Sequence, residues 1–340
     1  MSLLVDACIK NFLQTSHNTA YPVQEFFTFI IQGKKIPSPK FLFRYRCTKT
    51  SDDADTLYEM PFISVLMLMK YTSGNTPIIK EEYFCKKFGL PNFYIKDESC
   101  NPFGTYKDRR SEVIVRKALD ECVDKLVLIT SGNAGFSLAK FALGSRLKVV
   151  CIVDKHISQS FYKKLCIVSY KVIRIDLSKK ILKPEEIISL AREKDEDVIW
   201  DVTNGWHESY KSIINEIKNQ QAKFLITPVG SGEAFVGLFN GIQKNKLNVR
   251  LIGVMPQSCP SFADKLHTLW TPYSSKLKSI VKTKHQIIKV SEKEIKQAYS
   301  LAKKYIQCEP SSAIVYSALS HVKIGKKDKV IIINSGKGLL

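Results

Sequence analysis

One lysine in the sequence stands where a side-chain amine could react. Lys107 follows an Asn-Pro-Phe-Gly turn at residues 101–104, which itself follows an extended apolar run at residues 93–95. The apolar spacing over residues 111–119 predicts a helix, so Lys107 lies at the start of that helix. The partial positive charge of a helix start lowers the pKa of an ammonium group and favours the neutral amine that Schiff-base chemistry requires. Taken alone, such a lysine is more often a solvated surface residue.

Three further turns have compositions that suit ligand binding. They lie at residues 131–135, 230–233 and 334–338, and each follows a short apolar run. Open α/β sheets bind their ligands at the carboxyl ends of strands, so these turns and the lysine turn are predicted to meet at one site. Each turn alone has the glycines of an ordinary turn, whereas the order of the four along the chain is a more specific signal.

The elements that must position these turns alternate along the chain. Continuous apolar runs, typical of buried parallel strands, are followed by segments with helical spacing. This alternation predicts an α/β fold with two open, mainly parallel, twisted sheets flanked by helices. The predicted strands are 125–130, 149–153, 171–175, 198–202, 223–229, 249–255 and 330–333, and the later helices are 136–143, 160–165, 184–192, 234–244, 292–304 and 311–319.

The size and composition of the chain exclude several classes of site. A length of 340 residues, 44% hydrophobic and 25% charged, predicts a globular protein of about two domains. Six histidines are scattered singly and none of the nine cysteines forms a Cys-x-x-Cys pair, so no metal site is predicted. The odd cysteine count and the apolar surroundings predict reduced, mostly buried thiols in a reducing compartment.

The net charge of +20 is the most unusual bulk property. It is compatible with nucleic-acid binding, but the lysines are evenly spread and no aromatic-interleaved basic stripe accompanies them. A lysine-rich solvated surface that steers anionic ligands is the favoured interpretation, and no nucleic-acid partner is predicted.

The sequence predicts no attachment to a membrane. Asp6 and Lys10 interrupt the apolar core that a signal peptide would need. The longest nearly uninterrupted apolar stretch, residues 62–69, is far shorter than the roughly 20 residues that span a bilayer. A cytoplasmic protein is therefore expected.

The motifs, taken in order, resemble one enzyme superfamily. They are Gly74-Asn75-Thr76-Pro77, Lys96-Asp97-Glu98, Asn101-Pro102-Phe103-Gly104-Thr105-Tyr106-Lys107-Asp108-Arg109, Ser131-Gly132-Asn133-Ala134-Gly135, Pro228-Val229-Gly230-Ser231-Gly232, Glu309-Pro310-Ser311-Ser312-Ala313 and Asn334-Ser335-Gly336. This set resembles the pyridoxal-phosphate enzymes of fold type II, the tryptophan synthase β-like superfamily, and within it threonine synthase. The resemblance begins near residue 70 and leaves the first 50 residues unexplained.

The resemblance implies a pyridoxal 5'-phosphate site in a cleft between two domains. Lys107 would bind the cofactor covalently and then move protons at the substrate Cα. Asn133 would hydrogen-bond the ring hydroxyl, and Ser335 would face the ring nitrogen. The cofactor phosphate would lie on the amides and helix dipole of Gly230, Ser231, Gly232, Glu233 and Ala234. The substrate would lie against Thr105, Ser131, Gly132, Asn133, Ala134 and Gly135, with its carboxylate on the amides at the helix start.

The resemblance also implies a domain organisation and an assembly. Residues 1–100 would contain an N-terminal extension and the first part of a large domain. Residues 101–205 would form a small domain with the lysine and Ser-Gly-Asn loops, and residues 206–340 the rest of the large domain with the phosphate loop. A homodimer is expected.

The type of residue at position 335 bears on the reaction. A hydroxyl does not stabilise a protonated ring as a carboxylate would, which weakens the electron sink and suits β- or γ-elimination and replacement. The first hypothesis is a lyase that converts O-phosphohomoserine and water to threonine and phosphate. The second is β-replacement or elimination on serine, O-phosphoserine or O-acetylserine, as in cysteine synthase. The third is a catalytically inactive, basic interaction protein on the same fold.

Two residues near the predicted site depart from the family pattern. Glu233 stands where a glycine or small residue is usual, and its carboxylate would repel a phosphate unless the side chain turns away. Phe103 takes the place of a small hydroxyl residue and is expected to add bulk beside the lysine turn.

Overall fold

Continuous apolar runs form two parallel sheets in the computed structural model, which describes residues 42–46, 57–61, 71–178, 181–266, 268 and 270–338. The larger sheet has the spatial order β11 (Gln286–Val290), β10 (Arg250–Pro256), β9 (Phe224–Pro228), β12 (Val330–Asn334), β4 (Phe93–Asp97) and β3 (Ile78–Ile79). The smaller sheet has the order β7 (Lys171–Ile175), β6 (Lys148–Asp154), β5 (Lys125–Ile129) and β8 (Ile199–Asp201). Every strand pair in these sheets is parallel except β3 with β4.

Helices connect the strands, and a separate antiparallel pair precedes them. The helices are α1 (Glu82–Phe88), α2 (Lys107–Asp120), α3 (Asn133–Ala142), α4 (Gln159–Val168), α5 (Pro184–Ala191), α6 (Lys211–Ile217), α7 (Glu233–Lys244), α8 (Ser274–Val281), α9 (Glu292–Ala302) and α10 (Pro310–Ala313). The antiparallel pair is β1 (Leu42–Arg46) with β2 (Leu57–Pro61). The predicted α/β fold class with two mainly parallel sheets is confirmed.

Both faces of each sheet are buried, as their apolar strands predict. Along β9, Leu225 packs in the core on one face, whereas Phe224 and Ile226 pack in the core on the other. In the smaller sheet, Leu126 and Val127 divide between two cores in the same way. The helices on both faces therefore cover the sheets and leave the strand ends available for a site.

Several boundaries and elements differ from the prediction. Helices α2 and α3 begin at Lys107 and Asn133, earlier than expected, and the segment predicted as one helix at 311–319 is α10 followed by a 3-10 helix, Ile314–Ser320. The sequence did not predict α1, α6, α8 or β11. The expectations for residues 1–41 and for the apolar stretch 62–69 lie outside the described residues.

The domain boundaries remain a prediction. The strands of the smaller sheet fall between residues 125 and 201, and those of the larger sheet fall on either side of them in the chain. This arrangement is compatible with a small domain inserted into a large one.

The cysteines depart in part from the expected reduced, mostly buried thiols. Six of the described cysteines are free, of which Cys85, Cys151 and Cys308 are buried and the other three exposed. Cys122 is disulfide-bonded, so the prediction of reduced thiols is wrong at this residue.

Neither a metal site nor a membrane-spanning helix is found within the part of the chain that the structure describes. There, no group of three or more His, Cys, Asp or Glu side chains is arranged to hold a metal ion. None of the described helices has both the length and the apolar character needed to cross a membrane.

Candidate active site

A large cavity lies where strands of both sheets end. Its volume is about 1110 Å³, and its wall includes residues at or just after the carboxyl ends of β5, β6, β8, β9 and β12. The predicted site residues in the wall are Thr105, Lys107, Ser131, Asn133, Ala134, Gly230, Ser231, Gly232, Glu233, Ala234 and Ser335. Gly132 and Gly135 are not among the lining residues. The four predicted turns thus meet at one cleft.

The turn that carries Lys107 is held against the loop after β12. Tyr106 N–H donates to the Ser335 carbonyl at 2.9 Å, and Lys337 N–H donates to the Gly104 carbonyl at 3.1 Å. Gly104 has a φ of 78°. A Cβ at Gly104 would lie 2.7 Å from Cε of Lys337. These contacts fix the start of α2 beside Ser335.

The Lys107 amine lies in an aromatic and largely dry environment. Its Nζ is 5.3 Å from the ring centre of Tyr106 and 5.8 Å from that of Tyr210. Burial lowers the pKa of Lys107 to about 8, while Glu233 opposes this shift and Arg110 adds to it. Among these causes, lost solvation is the largest. The neutral amine is the form that attacks a carbonyl carbon.

The Ser-Gly-Asn turn is organised around the hydroxyl of Thr130. Thr130 Oγ1 accepts hydrogen bonds from the amides of Gly132 and Gly135, both at 3.0 Å. These two amides are therefore occupied within the loop. Of the five amides predicted to take a substrate carboxylate, those of Ser131, Asn133 and Ala134 remain as candidates.

The glycines of this turn allow close packing. Gly132 has a φ of 136°, and a Cβ there would lie 2.6 Å from the ring of Phe161. The centre of that ring lies 3.8 Å from Nζ of Lys265, which belongs to the 3-10 helix Asp264–Leu266 after β10 and lines the cavity. The Phe161 ring therefore joins the two sides of the cleft.

Asn133 faces an acidic partner across the cleft. Its Nδ2 donates to a carboxylate oxygen of Glu309 at 2.7 Å. Its Oδ1 is buried and has no hydrogen-bond partner among the described residues. Burial raises the pKa of Glu309 to about 7, although Asn133 and Lys265 lower it in part.

The predicted phosphate loop leads into α7, whose first residue, Glu233, has its carboxylate held by hydrogen bonds to neighbouring groups. Glu233 accepts a hydrogen bond from Arg110 at 2.7 Å, from Trp206 N–H at 3.0 Å and from the Tyr273 hydroxyl at 3.2 Å. Burial acts to raise the pKa of Glu233, but Arg110 and Lys107 bring it below its ordinary value. The carboxylate is thus ionised and paired, which removes the expected repulsion of a phosphate.

Ser335 lies directly after β12 and is almost fully buried. Its N–H donates to Ser312 Oγ at 2.7 Å, and Ser312 Oγ donates to Asn334 Oδ1 at 2.5 Å. The backbone of Ser335 is therefore held from two sides, by Ser312 and by the lysine turn.

The Phe103 ring does not crowd the cavity. It packs against Tyr71 and Phe141, with ring centres 5.1 Å and 4.9 Å away, and it is not a lining residue. The expected bulk therefore belongs to the core of the smaller sheet.

Several charged lining residues were not predicted as site residues. They are Arg110, Asp154, Lys183, Asp201, Asp264, Lys265 and Glu309. Glu309 belonged to a motif that carried the resemblance, but its contact with Asn133 joins residues 176 positions apart. Arg110 directly follows the lysine motif, yet nothing local indicates its pairing with Glu233.

The residues at the cleft fit pyridoxal phosphate. The Lys107 amine can bind its aldehyde, and the start of α7 offers amides to its phosphate. The unpartnered Asn133 Oδ1 can find a partner in a bound ring hydroxyl. When bound, the cofactor supplies an electron sink for the substrate Cα.

Comparison with known proteins agrees with this fit. Residues 69–336 match the family described as "Pyridoxal-phosphate dependent enzyme". Cysteine synthase of Helicobacter pylori (strain J99) is 26% identical over 212 residues, which are 57% of this chain and 67% of that protein. Threonine synthase of Bacillus sp. (strain ULM1) is 25% identical over 309 residues, which are 78% of this chain and 83% of that protein.

Solved structures share the fold. An O-acetylserine-dependent cystathionine β-synthase from Helicobacter pylori is similar with a TM-score of 0.67 at 21% identity, covering 80% of this chain and 95% of that one. An L-serine ammonia-lyase from Rhizomucor miehei is similar with a TM-score of 0.65 at 16% identity, covering 78% and 94%. The predicted superfamily and cofactor are confirmed. The family match spans Lys107, Asn133 and Ser335, and this chain belongs to the pyridoxal-phosphate dependent enzymes.

Proposed function

We propose that this pyridoxal-phosphate-dependent lyase of fold type II converts O-phosphohomoserine and water to threonine and phosphate. The observation that carries the proposal is the presence in the cleft wall of the basic side chains of His156, Lys183 and Lys265 as well as Lys107, among the carboxylates of Asp154, Asp201 and Asp264. A phosphorylated amino acid needs both a reactive amine and cationic groups for its second anion. The Bacillus threonine synthase is similar over most of both chains.

Each of the site residues would have its own role in this reaction. Lys107 would hold the cofactor and then move a proton at the substrate Cα, for which a pKa of about 8 is well suited. The amides of Ser131, Asn133 and Ala134 would orient the substrate carboxylate. The amides at the start of α7 would hold the cofactor phosphate, with Glu233 kept aside by Arg110. The Ser335 hydroxyl would face the ring nitrogen without stabilising its protonated form.

The experiment is an assay of the purified protein, loaded with cofactor, for two products. O-phosphohomoserine is expected to give equal amounts of phosphate and threonine, and Lys107→Ala is expected to give neither. Lys140→Ala, which removes a lysine outside the cavity wall, is the matched control and should stay active. A protein that binds the cofactor covalently but releases no phosphate from this substrate would contradict the proposal.

A second candidate keeps the cofactor and changes the substrate. The Helicobacter cysteine synthase relative favours β-replacement or elimination on serine, O-phosphoserine or O-acetylserine. Absorbance spectra recorded with each amino acid distinguish the two, because the productive substrate alone will deplete the band of the resting enzyme. The predicted homodimer and cytoplasmic location remain proposals that ultracentrifugation and cell fractionation can test.

A further inference from the structure

The contact between Asn133 and Glu309 leaves one end of a buried amide without a partner. The two residues approach from opposite sides of the cleft, since Asn133 begins α3 and Glu309 immediately precedes α10. Nδ2 donates to Glu309 at 2.7 Å, whereas Oδ1 is buried and has no partner among the described residues. A buried acceptor without a donor is costly, so a bound group is expected to supply that donor.

The protonation state of Glu309 decides which end of the amide it can hold. An ionised carboxylate only accepts hydrogen bonds, so it must take the Nδ2 end of Asn133. A protonated carboxyl group can donate, so it can take the Oδ1 end once the amide has turned over. The other end of the amide then remains for the ligand, as an acceptor in the first case and as a donor in the second.

We propose that Glu309 is a positioning residue that sets, through the Asn133 amide, where the proton of the cofactor's ring hydroxyl resides. The proposal rests on the role proposed above for Asn133 at that hydroxyl. With Glu309 ionised, Oδ1 accepts a hydrogen bond from the hydroxyl and keeps the proton on the ring oxygen. With Glu309 protonated, Nδ2 donates to the ring oxygen, and the proton moves to the nitrogen that joins Lys107 to the cofactor.

The backbone of Glu309 is held in place, so the change is confined to side chains. Its N–H donates to the Gly336 carbonyl at 3.1 Å, and its carbonyl accepts from the amides of Ser312 and Ala313, both at 2.9 Å. A change of amide orientation therefore requires rotation of Asn133 about its last side-chain bond alone.

The groups that face Glu309 allow it to titrate near neutral pH. Burial raises its pKa to about 7, with Lys265 opposing and Asp264 adding to the shift. Burial and Glu309 raise the pKa of the neighbouring Tyr106 well above its ordinary value and that of Cys308 to about 12. Both neighbours therefore stay neutral while Glu309 changes its charge.

The test is the absorption spectrum of the cofactor-loaded protein as a function of pH. The form with the proton on nitrogen absorbs at longer wavelength and is yellow. As pH rises from about 6 to about 8, the ratio of the long- to the short-wavelength band is expected to fall by about tenfold or more in the parent protein. In Glu309→Gln the ratio should stay constant, because a glutamine does not titrate. Glu82→Gln, on the exposed face of α1, should behave as the parent protein does.

A second variant tests whether Glu309 acts through Asn133. Asn133→Ala removes the amide and should also abolish the pH response. A response that persists in either Glu309→Gln or Asn133→Ala would overturn the proposal. Borohydride reduction and mass determination of the Lys107 peptide report cofactor attachment separately. If the cofactor is not attached to Lys107 in the parent protein, the proposed function is contradicted instead. If Glu309→Gln alone fails to bind the cofactor, the pH response of Asn133→Ala decides whether the proposal about Glu309 holds.

Discussion

Glu233, which stands where the resemblance implies a glycine or small residue, forms a buried ion pair with Arg110 beside the lysine. Arg110 and Glu233 are both almost fully buried, and Arg110 also donates to the carbonyls of Val202 and Thr203. The pair keeps a carboxylate at the head of α7 from acting as a free charge. It also brings one positive and one negative group close to Lys107. The effects of these two groups on the lysine pKa are opposed and cancel in part.

Removing one member of this ion pair should lower the free energy of unfolding more than would be expected from replacing both members. Arg110→Met leaves the Glu233 carboxylate buried and unpaired, which is expected to lower the free energy of unfolding by about 3–5 kcal/mol. The double variant Arg110→Met/Glu233→Gln should lose clearly less than the sum of the two single changes. Urea unfolding measures all four proteins. Additive losses would show that the two side chains do not stabilise each other.

The lowered pKa of Lys107 predicts how fast the cofactor-free protein captures pyridoxal phosphate. The neutral amine is the reactive form, and its fraction rises as pH passes upward through about 8. The capture rate, followed by stopped-flow absorbance, should therefore rise with pH and level off above that value. Lys107→Ala should show no covalent capture at any pH. A rate that continues to climb towards the pKa of an ordinary lysine, about 10.4, would contradict the burial of this amine.

Gly237, in the middle of helix α7, allows this helix to pack closely against its neighbour. A Cβ at Gly237 would lie 2.0 Å from the carbonyl oxygen of His207 and 3.0 Å from Cβ of Tyr210. The helix therefore packs directly on the 3-10 turn His207–Tyr210, whose Tyr210 ring flanks the Lys107 amine. This close approach links the phosphate loop at the head of α7 to the aromatic wall around the lysine.

Adding one methyl group at Gly237 should disturb that packing. In an exposed helix, replacing glycine by alanine stabilises by about 1 kcal/mol. At Gly237 the clash with backbone should reverse the sign, and we expect a loss of about 1–3 kcal/mol together with weaker cofactor binding. Gln243→Ala, on the exposed side of the same helix, should stay within about 0.5 kcal/mol of the parent protein. Calorimetry and cofactor titration check both, and equal behaviour of the two variants would refute the packing argument.

Sequence patterns predicted most of the parallel strands because a buried parallel strand is apolar throughout. The edge strand β11 was not predicted, since Gln286 and Lys289 interrupt its apolar residues and it is half-exposed. The helices α6 and α8 are only seven and eight residues long, which gives little periodicity to detect. Short helices and edge strands therefore escape this kind of pattern.

The same reasoning applies to the site. The four turns were predicted because glycine, asparagine and a helix start have local signatures. The pairings of site residues with charged partners were not predicted, since Arg110 and Glu233 are 123 positions apart and Asn133 and Glu309 are 176 apart. Such pairs follow from how the two sheets are brought together, which local spacing does not specify.

The charge of the whole molecule predicts how its ligands arrive. A net charge of +20 attracts anions over distances that salt shortens. The association rate of pyridoxal phosphate with the cofactor-free protein should therefore fall several-fold between roughly 20 mM and roughly 500 mM salt. Pyridoxal without its phosphate is the matched control and should show little change. An equal response of the two compounds would mean that the field of the protein does not guide the phosphate.

The position of β12 has a consequence for synthesis of the protein on the ribosome. This strand is the last element of the described chain, yet it lies in the interior of the larger sheet, between β9 and β4. Thr105 and its partner Ser335 are 230 positions apart, so the lysine turn emerges long before the segment that holds it. A nascent chain therefore carries a divided sheet and an unrestrained Lys107 until the residues of β12 and Ser335 have been synthesised. The surroundings of the reactive amine are completed only after that point.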